Sequence, residues 1–312
     1  MRLESGRPNA SGENGSLPVV AAPPLSPVLL GPLLMPRAIE SPTILVFDSG
    51  LGGLTVYREI AKLRPDAHFV YAADDALFPY GAVEESRLIA RTRALIERLA
   101  DLYRPDLVVI ACNTASTIVL PSLRAKLSLP FVGTVPAIKP ACAASLSKRV
   151  SVLGTEATVK REYTRALIRE FAGGCAVTLV GSAGLAALAE AALHGESVAD
   201  AAIAAEIAPC FVDDGTARTD TIVLACTHYP LLLDRLVRLA PWGVTFIDPA
   251  PAIARRVVEL VGPVQRRDAV ASTRALFTSG RAPSPGLAAT LEGFGLRDIV
   301  APGEFDTSAI SA

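Results

Sequence analysis

The chain has 312 residues, 51% of them hydrophobic, with a mean hydropathy of +0.40 and a formal net charge of -1 from 30 basic and 31 acidic residues. That length is enough for two domains, and no apolar run reaches the ~18 residues of a membrane-spanning helix. Near-neutral charge without a long run of either sign argues against nucleic acid or an anionic membrane surface as a partner.

Residues 1–40 are rich in Pro, Gly, Ser and Asn and lack a clean period, so they read as a disordered tail. Within them, SPVLLGPLLMP is too interrupted by Pro and Gly for a signal peptide, and the Asn9-Ala10-Ser11 sequon carries no meaning in a cytoplasmic protein. From Pro42 onward, apolar strands alternate with amphipathic helices: TILVFD, LTVYREIAKL, HFVYAAD, SRLIARTRALIERLADLY, LVVIAC, STIVLPSLRAKL and FVGTV. The rhythm restarts at RVSVLGT and runs through VKREYTRALIREFA, AVTLVGS, GLAALAEAALHG and AIAAEIAPCFVDD to TIVLAC and VTFID. This pattern predicts an α/β fold of two similar parallel-sheet domains facing each other across a central cleft. The expected boundaries are 41–135 plus about 246–302 for the first domain and 136–245 for the second, with a crossover near Val135 to Lys139.

Open parallel sheets bind ligands beyond the carboxyl ends of their strands, where the polar clusters Asp48-Ser49, Cys112-Asn113-Thr114, Thr155 and Cys226-Thr227-His228 all fall. FDSGLGG has the glycines of a phosphate-cradling loop, but Thr55 stands where a dinucleotide loop needs glycine and no P-loop lysine follows. Asp48 would repel a phosphate and suits an ammonium group or a proton to be managed. DDALFPYGAV is a turn, either ordinary surface or a site where backbone N–H groups around Tyr80 and Gly81 hold a carboxylate.

An odd five cysteines without C-x-x-C spacing fit a reducing cytoplasm better than a disulfide framework. Cys142, Cys175 and Cys210 read as small buried hydrophobes. VVIACNTAS and TIVLACTHYP differ from these, because each ends an apolar strand in a thiol followed by hydrogen-bonding residues and the expected start of a helix, which would lower the thiol's pKa towards neutrality. Zinc would need further ligands that His228, His68 and His194 do not supply, so no metal is expected, and a Cys-His hydrolase would leave one thiol unexplained. A cofactor-free racemase uses both: one thiolate takes the α-proton from one face while one thiol delivers another to the opposite face.

FDSGLGGLTVYREI, FPYGA, VIACNTAST, VPAIKPA, VKREYT, LAEAALHGE and VLACTHYPLL together resemble the glutamate racemases of the aspartate/glutamate racemase superfamily, from about Ile44 to Arg256. The resemblance implies interconversion of L- and D-glutamate by a two-base mechanism without cofactor or metal, supplying D-glutamate for peptidoglycan. It places the catalytic thiols on Cys112, expected to act on D-glutamate, and Cys226, expected to act on L-glutamate, supported by Asp48 and His228. Substrate-binding positions are then Asp48, Ser49, Pro79, Tyr80, Gly81, Asn113, Thr114, Thr155, Thr158, Thr227 and His228, with Glu190 as a further supporting carboxylate. VPAIKPA, VKREYT and LAEAALHGE are most similar to the subgroup activated by UDP-N-acetylmuramoyl-L-alanine. The implied assembly is a monomer or homodimer. Aspartate racemases, a non-catalytic glutamate-binding protein and one-cysteine decarboxylases are the alternatives. The first differs by one methylene of substrate, worth only about 1–3 kcal/mol.

Overall fold

The computed structural model describes residues 39–265, 271–301 and 303–305, so the expected tail, apart from Ile39 and Glu40, lies outside the described residues. The first half comprises β1 (Thr43–Asp48), α1 (Leu54–Leu63), β2 (His68–Ala73), α2 (Glu85–Tyr103), β3 (Leu107–Ile110), α3 (Asn113–Lys126) and β4 (Phe131–Gly133). A connecting helix α4 (Ile138–Ala144) leads to β5 (Arg149–Thr155), α5 (Glu156–Lys160), α6 (Glu162–Phe171), β6 (Ala176–Ser182), α7 (Leu185–Leu193) and α8 (Asp200–Ile207). There follow β7 (Thr221–Ala225), α9 (Leu233–Leu239), β8 (Thr245–Ile247), α10 (Ala250–Val261), β9 (Thr273–Phe277), α11 (Pro285–Gly293) and β10 (Asp298–Ile299).

These strands form two sheets, with orders β10-β9-β2-β1-β3-β4 and β6-β5-β7-β8, and every pairing is parallel. The α/β fold of two parallel sheets expected from the strand–helix rhythm is therefore the one observed. Each sheet has its first strand in the middle: β1 is flanked by β2 and β3, and β5 by β6 and β7. Chain direction away from the central strand reverses there, which opens a crevice at its carboxyl end.

The central strands are apolar because both faces are covered by helices. Leu107–Ile110 of β3 and Thr221–Ala225 of β7 are buried throughout. Ile44, Val46 and Val109 pack under α1 and α10, while Leu45, Phe47 and Val108 pack under α2 and α3. Each such aliphatic side chain contributes about 1.5–3 kcal/mol of burial.

One ion pair among the described residues is fully buried. Arg64 and Asp66 are both inaccessible to solvent, joined by Nε–Oδ1 and Nη2–Oδ2 hydrogen bonds of 2.8 and 2.9 Å. The same guanidinium donates to the carbonyls of Ile39 and Gly262, fastening the end of α10 to the start of the chain's described part. Removing one member of such a pair leaves a buried charge uncompensated. Asp66→Asn is expected to lower unfolding free energy by about 3 kcal/mol in urea denaturation while leaving the distant cleft intact; a loss under about 1 kcal/mol would show that the carbonyls alone satisfy Arg64.

Candidate active site

The cleft is built from strand ends. Asp48 closes β1, Cys112 follows β3, Thr155 closes β5 and Cys226 follows β7. Because β3 and β7 hold the same place in their sheets, the repeated Ala-Cys sequences are structural counterparts, and both thiols line one pocket. Ser49, Pro79, Tyr80, Gly81, Asn113, Thr114, Thr155, Thr227 and His228 line it with them. Three of the expected positions stand behind this lining: Asp48 under the floor, Thr158 against Thr155, and Glu190 behind His228.

Cys112 is the N-cap of α3, and its sulfur accepts the Ala115 N–H at 3.5 Å. The macrodipole does not prevail there. Burial, reinforced by the Asp48 carboxylate and only partly opposed by the Ala115 and Ser49 hydrogen bonds, pushes the Cys112 thiol up to about 12. The expectation of a near-neutral thiol fails at Cys112 because desolvation of a fully enclosed sulfur outweighs one N–H contact. Cys226 differs in another way: a turn follows it and a single 3₁₀ turn covers Tyr229–Leu232 before α9, so the thiol does not cap an α-helix.

Beside Cys226, His228 Nδ1 lies 3.9 Å from the sulfur, and Nε2 lies 2.7 Å from Glu190 Oε2. Burial disfavours the imidazolium, yet hydrogen bonds and charge interactions with Cys226 and Glu190 overcome it and hold His228 well above its ordinary value. Nε2–H thus donates to Glu190, whose Oε2 also accepts the Leu51 N–H at 3.2 Å. Glu190 of α7 therefore orients His228 from outside the pocket. On the Cys112 side, Asp48 Oδ2 accepts from the Gly53 N–H at 2.8 Å while Oδ1 has no partner among the described residues. Burial raises the Asp48 carboxyl, against the opposing charge of His228.

Both amide atoms of Asn113, only 2% exposed, also lack partners among the described residues. Buried polar atoms left unpaired inside a cleft are costly unless a ligand completes them. Thr114 Oγ1 meets Thr155 Oγ1 at 3.2 Å and Thr158 Oγ1 at 3.4 Å, so hydroxyls from both sheets converge over the same space. The remaining space is about 20 Å³, room for about one water, so the structure shows a closed cleft.

Sequence reasoning did not single out Phe78 and Ala186, which line the pocket, or Asp74. Phe78 packs on His228 with ring centroids 5.3 Å apart. Asp74 accepts the Tyr80 hydroxyl at 2.7 Å and is held by Arg91 and Thr278, which anchors the Tyr80–Gly81 segment. Only the adjacency of acidic and aromatic residues in DDALFPYG signalled this.

Two thiols therefore line one closed pocket, one beside a carboxylate and one beside an imidazole. A family model for Asp/Glu/Hydantoin racemases matches residues 44–257. The chain is 55% identical over 256 residues to the glutamate racemase of Brucella ovis, covering 81% of this chain and 92% of that one. It is also similar to the crystal structure of Escherichia coli glutamate racemase in complex with L-glutamate and the activator UDP-MurNAc-Ala, at 42% identity and TM-score 0.74, covering 83% and 97% of the two chains. The structure of the Thermus thermophilus enzyme matches at 29% identity and TM-score 0.63, covering 85% and 99%. The chain belongs to the Asp/Glu/Hydantoin racemase family and, within it, to the glutamate racemases. It is an amino-acid racemase, an isomerase.

Gly52 passes so close to His228 that a Cβ there would lie 2.6 Å from the His228 backbone nitrogen and 2.3 Å from Nδ1. Gly52→Ala is expected to displace His228 and lower kcat/KM by about 100-fold or more without unfolding, as judged by circular dichroism. Activity within about threefold of wild type would show that the imidazole position is not critical.

Proposed function

We propose that the chain interconverts L- and D-glutamate by a two-base mechanism, with Cys226 serving the L-face and Cys112 the D-face. The observation that carries this reading is the placement of the two thiols on counterpart strands of two sheets, bordering one pocket. Removal of the α-proton from L-glutamate leaves a planar carbanion, and the configuration inverts only if the returning proton arrives from the other side. Cys112, held as a thiol by burial and by Asp48, is ready to donate. His228, oriented by Glu190 and held as the imidazolium, sets a proton donor and a positive charge beside the Cys226 sulfur. When D-glutamate is the substrate the roles reverse, and Asp48 manages the proton of Cys112.

Substrate recognition follows from the groups left open in the pocket. Asn113 and the hydroxyls of Ser49, Thr114 and Thr155, with backbone N–H groups around Gly81 and Thr227, suit the two carboxylates, and the free Oδ1 of Asp48 suits the ammonium. Thr158 supports Thr155 through a 3.0 Å contact between hydroxyls. The closed volume requires the parts carrying the two sheets, divided near Val135 and after β8 (Thr245–Ile247), to separate for entry and release. The reaction needs neither cofactor nor metal. In the cytoplasm, as a monomer or homodimer, the enzyme would supply D-glutamate for peptidoglycan.

In deuterated buffer without added cofactor, L-glutamate is expected to give D-glutamate carrying deuterium at Cα. Cys112→Ala or Cys226→Ala should cut this conversion by about 10³-fold, the worth of a positioned acid or base. Product that keeps its original α-proton, or a variant retaining more than about a tenth of the activity, would rule out the two-base assignment.

Regulation by UDP-N-acetylmuramoyl-L-alanine is the second part of the proposal. The E. coli glutamate racemase forms its complex with UDP-MurNAc-Ala as an activator. In this chain an apolar hollow of about 330 Å³ lies at the crossover, lined by Val135, Pro136, Ile138 and Phe171 and edged by Lys139 and Arg256. Two cations beside an apolar wall suit an anionic ligand with an apolar part, and binding there would bias opening and closing of the cleft. Titrating the compound is expected to raise kcat/KM at least tenfold; an unchanged rate at millimolar concentration would remove the regulatory claim.

A further inference from the structure

Cys142 and Cys175 take no part in the chemistry above, and the fold brings them together. Cys142 points from α4 into the core formed with Val150, Val152, Val223 and Ala225 and is 5% exposed. Cys175 is half-buried and follows the turn at Gly173 and Gly174, whose φ angles of 53° and 88° only glycine adopts readily. The Cys175 sulfur lies 3.5 Å from the Cys142 carbonyl oxygen, and Cys175 packs against the same core cluster that holds the Cys142 side chain. Lys148 Nζ donates to the same carbonyl at 3.1 Å, which puts a positive charge beside both sulfurs. A Cβ built on Gly174 would meet no atom within 4 Å, so the turn beside Cys175 is open on that side.

We propose that Cys142 and Cys175 form an oxidation-sensitive pair that closes to a disulfide, stapling the crossover helix α4 to the turn between α6 and β6. With a small disulfide such as oxidised glutathione as oxidant, the Cys175 thiolate attacks one of its sulfurs and one glutathione thiolate leaves. The Cys142 sulfur then attacks the mixed disulfide at Cys175, and the second glutathione departs as a thiol carrying the Cys142 proton. Two protein thiols are oxidised and one glutathione disulfide is reduced to two thiols. Cys175 is the point of entry because it is the more accessible sulfur. Burial, with the neighbouring Cys175, pushes the Cys142 thiol up to about 12, so Cys142 is the second sulfur to react.

The staple would close a loop of about 30 residues and thereby restrict the unfolded chain. It would also hold α4, which carries the chain from one sheet to the other and packs on β7, the strand leading to Cys226. The test is overnight incubation of the full-length protein with millimolar oxidised glutathione, then alkylation and peptide mapping without reductant. The expected product is a Cys142–Cys175 cross-linked peptide pair about 2 Da lighter than its parts, with Tm raised by about 5 °C and restored by dithiothreitol. Cys175→Ser should show neither change and keep its basal activity. Recovery of both residues as free thiols would overturn the proposal, as would Cys175 bearing glutathione alone while Cys142 remains reduced.

Discussion

The rest of the structure depends on the burial of two counterpart strands, β3 and β7, in parallel sheets. Strands covered on both faces cannot tolerate polar side chains until they end, so polar groups appear abruptly at Cys112-Asn113-Thr114 and Cys226-Thr227-His228. Parallel pairing puts all such ends on the same edge of each sheet, and the central positions of β1 and β5 set Asp48 and Thr155 beside the two thiols. A pocket lined by both thiols follows from the topology, with the Phe78–Gly81 segment completing its wall.

The same burial sets the electrostatics of the pocket. Removing Cys112 and Asp48 from water favours their neutral forms, while His228 is kept charged against that trend by contacts to Cys226 and Glu190. The two sides of the pocket therefore manage protons with different partners, a carboxylate on one and an imidazole–carboxylate pair on the other. Close backbone packing preserves the arrangement: Gly52 lies against His228, and Gly53 N–H holds Asp48.

Several contacts also join the parts of the chain that carry the two sheets. Thr55 Oγ1 reaches the Thr227 carbonyl at 3.2 Å, Leu51 N–H reaches Glu190, and Arg161 pairs with Glu85 at the mouth. Glu190 and His228 both belong to the part of the chain carrying β5–β8, so the Leu51–Glu190 bond ties that pair to the loop after β1.

Much of this was legible in the sequence alone. Strand and helix periods, the restart of the rhythm at Arg149 and the doubled Ala-Cys endings determined an α/β fold of two similar sheets with thiols at matching ends, because apolar patterning is a local consequence of burial. The residues flanking each thiol were readable for the same reason, being adjacent in the chain. Only the tertiary structure decided which distant groups complete them: Glu190 behind His228, Asp74 and Arg91 behind Tyr80, and Cys175 against Cys142. It also decided the protonation of Cys112, where local sequence promised a helix N-terminus that lowers a thiol's pKa and full enclosure raised it instead. Desolvation sums over everything packed around a group, and one strand end in the sequence carries no record of that surrounding shell.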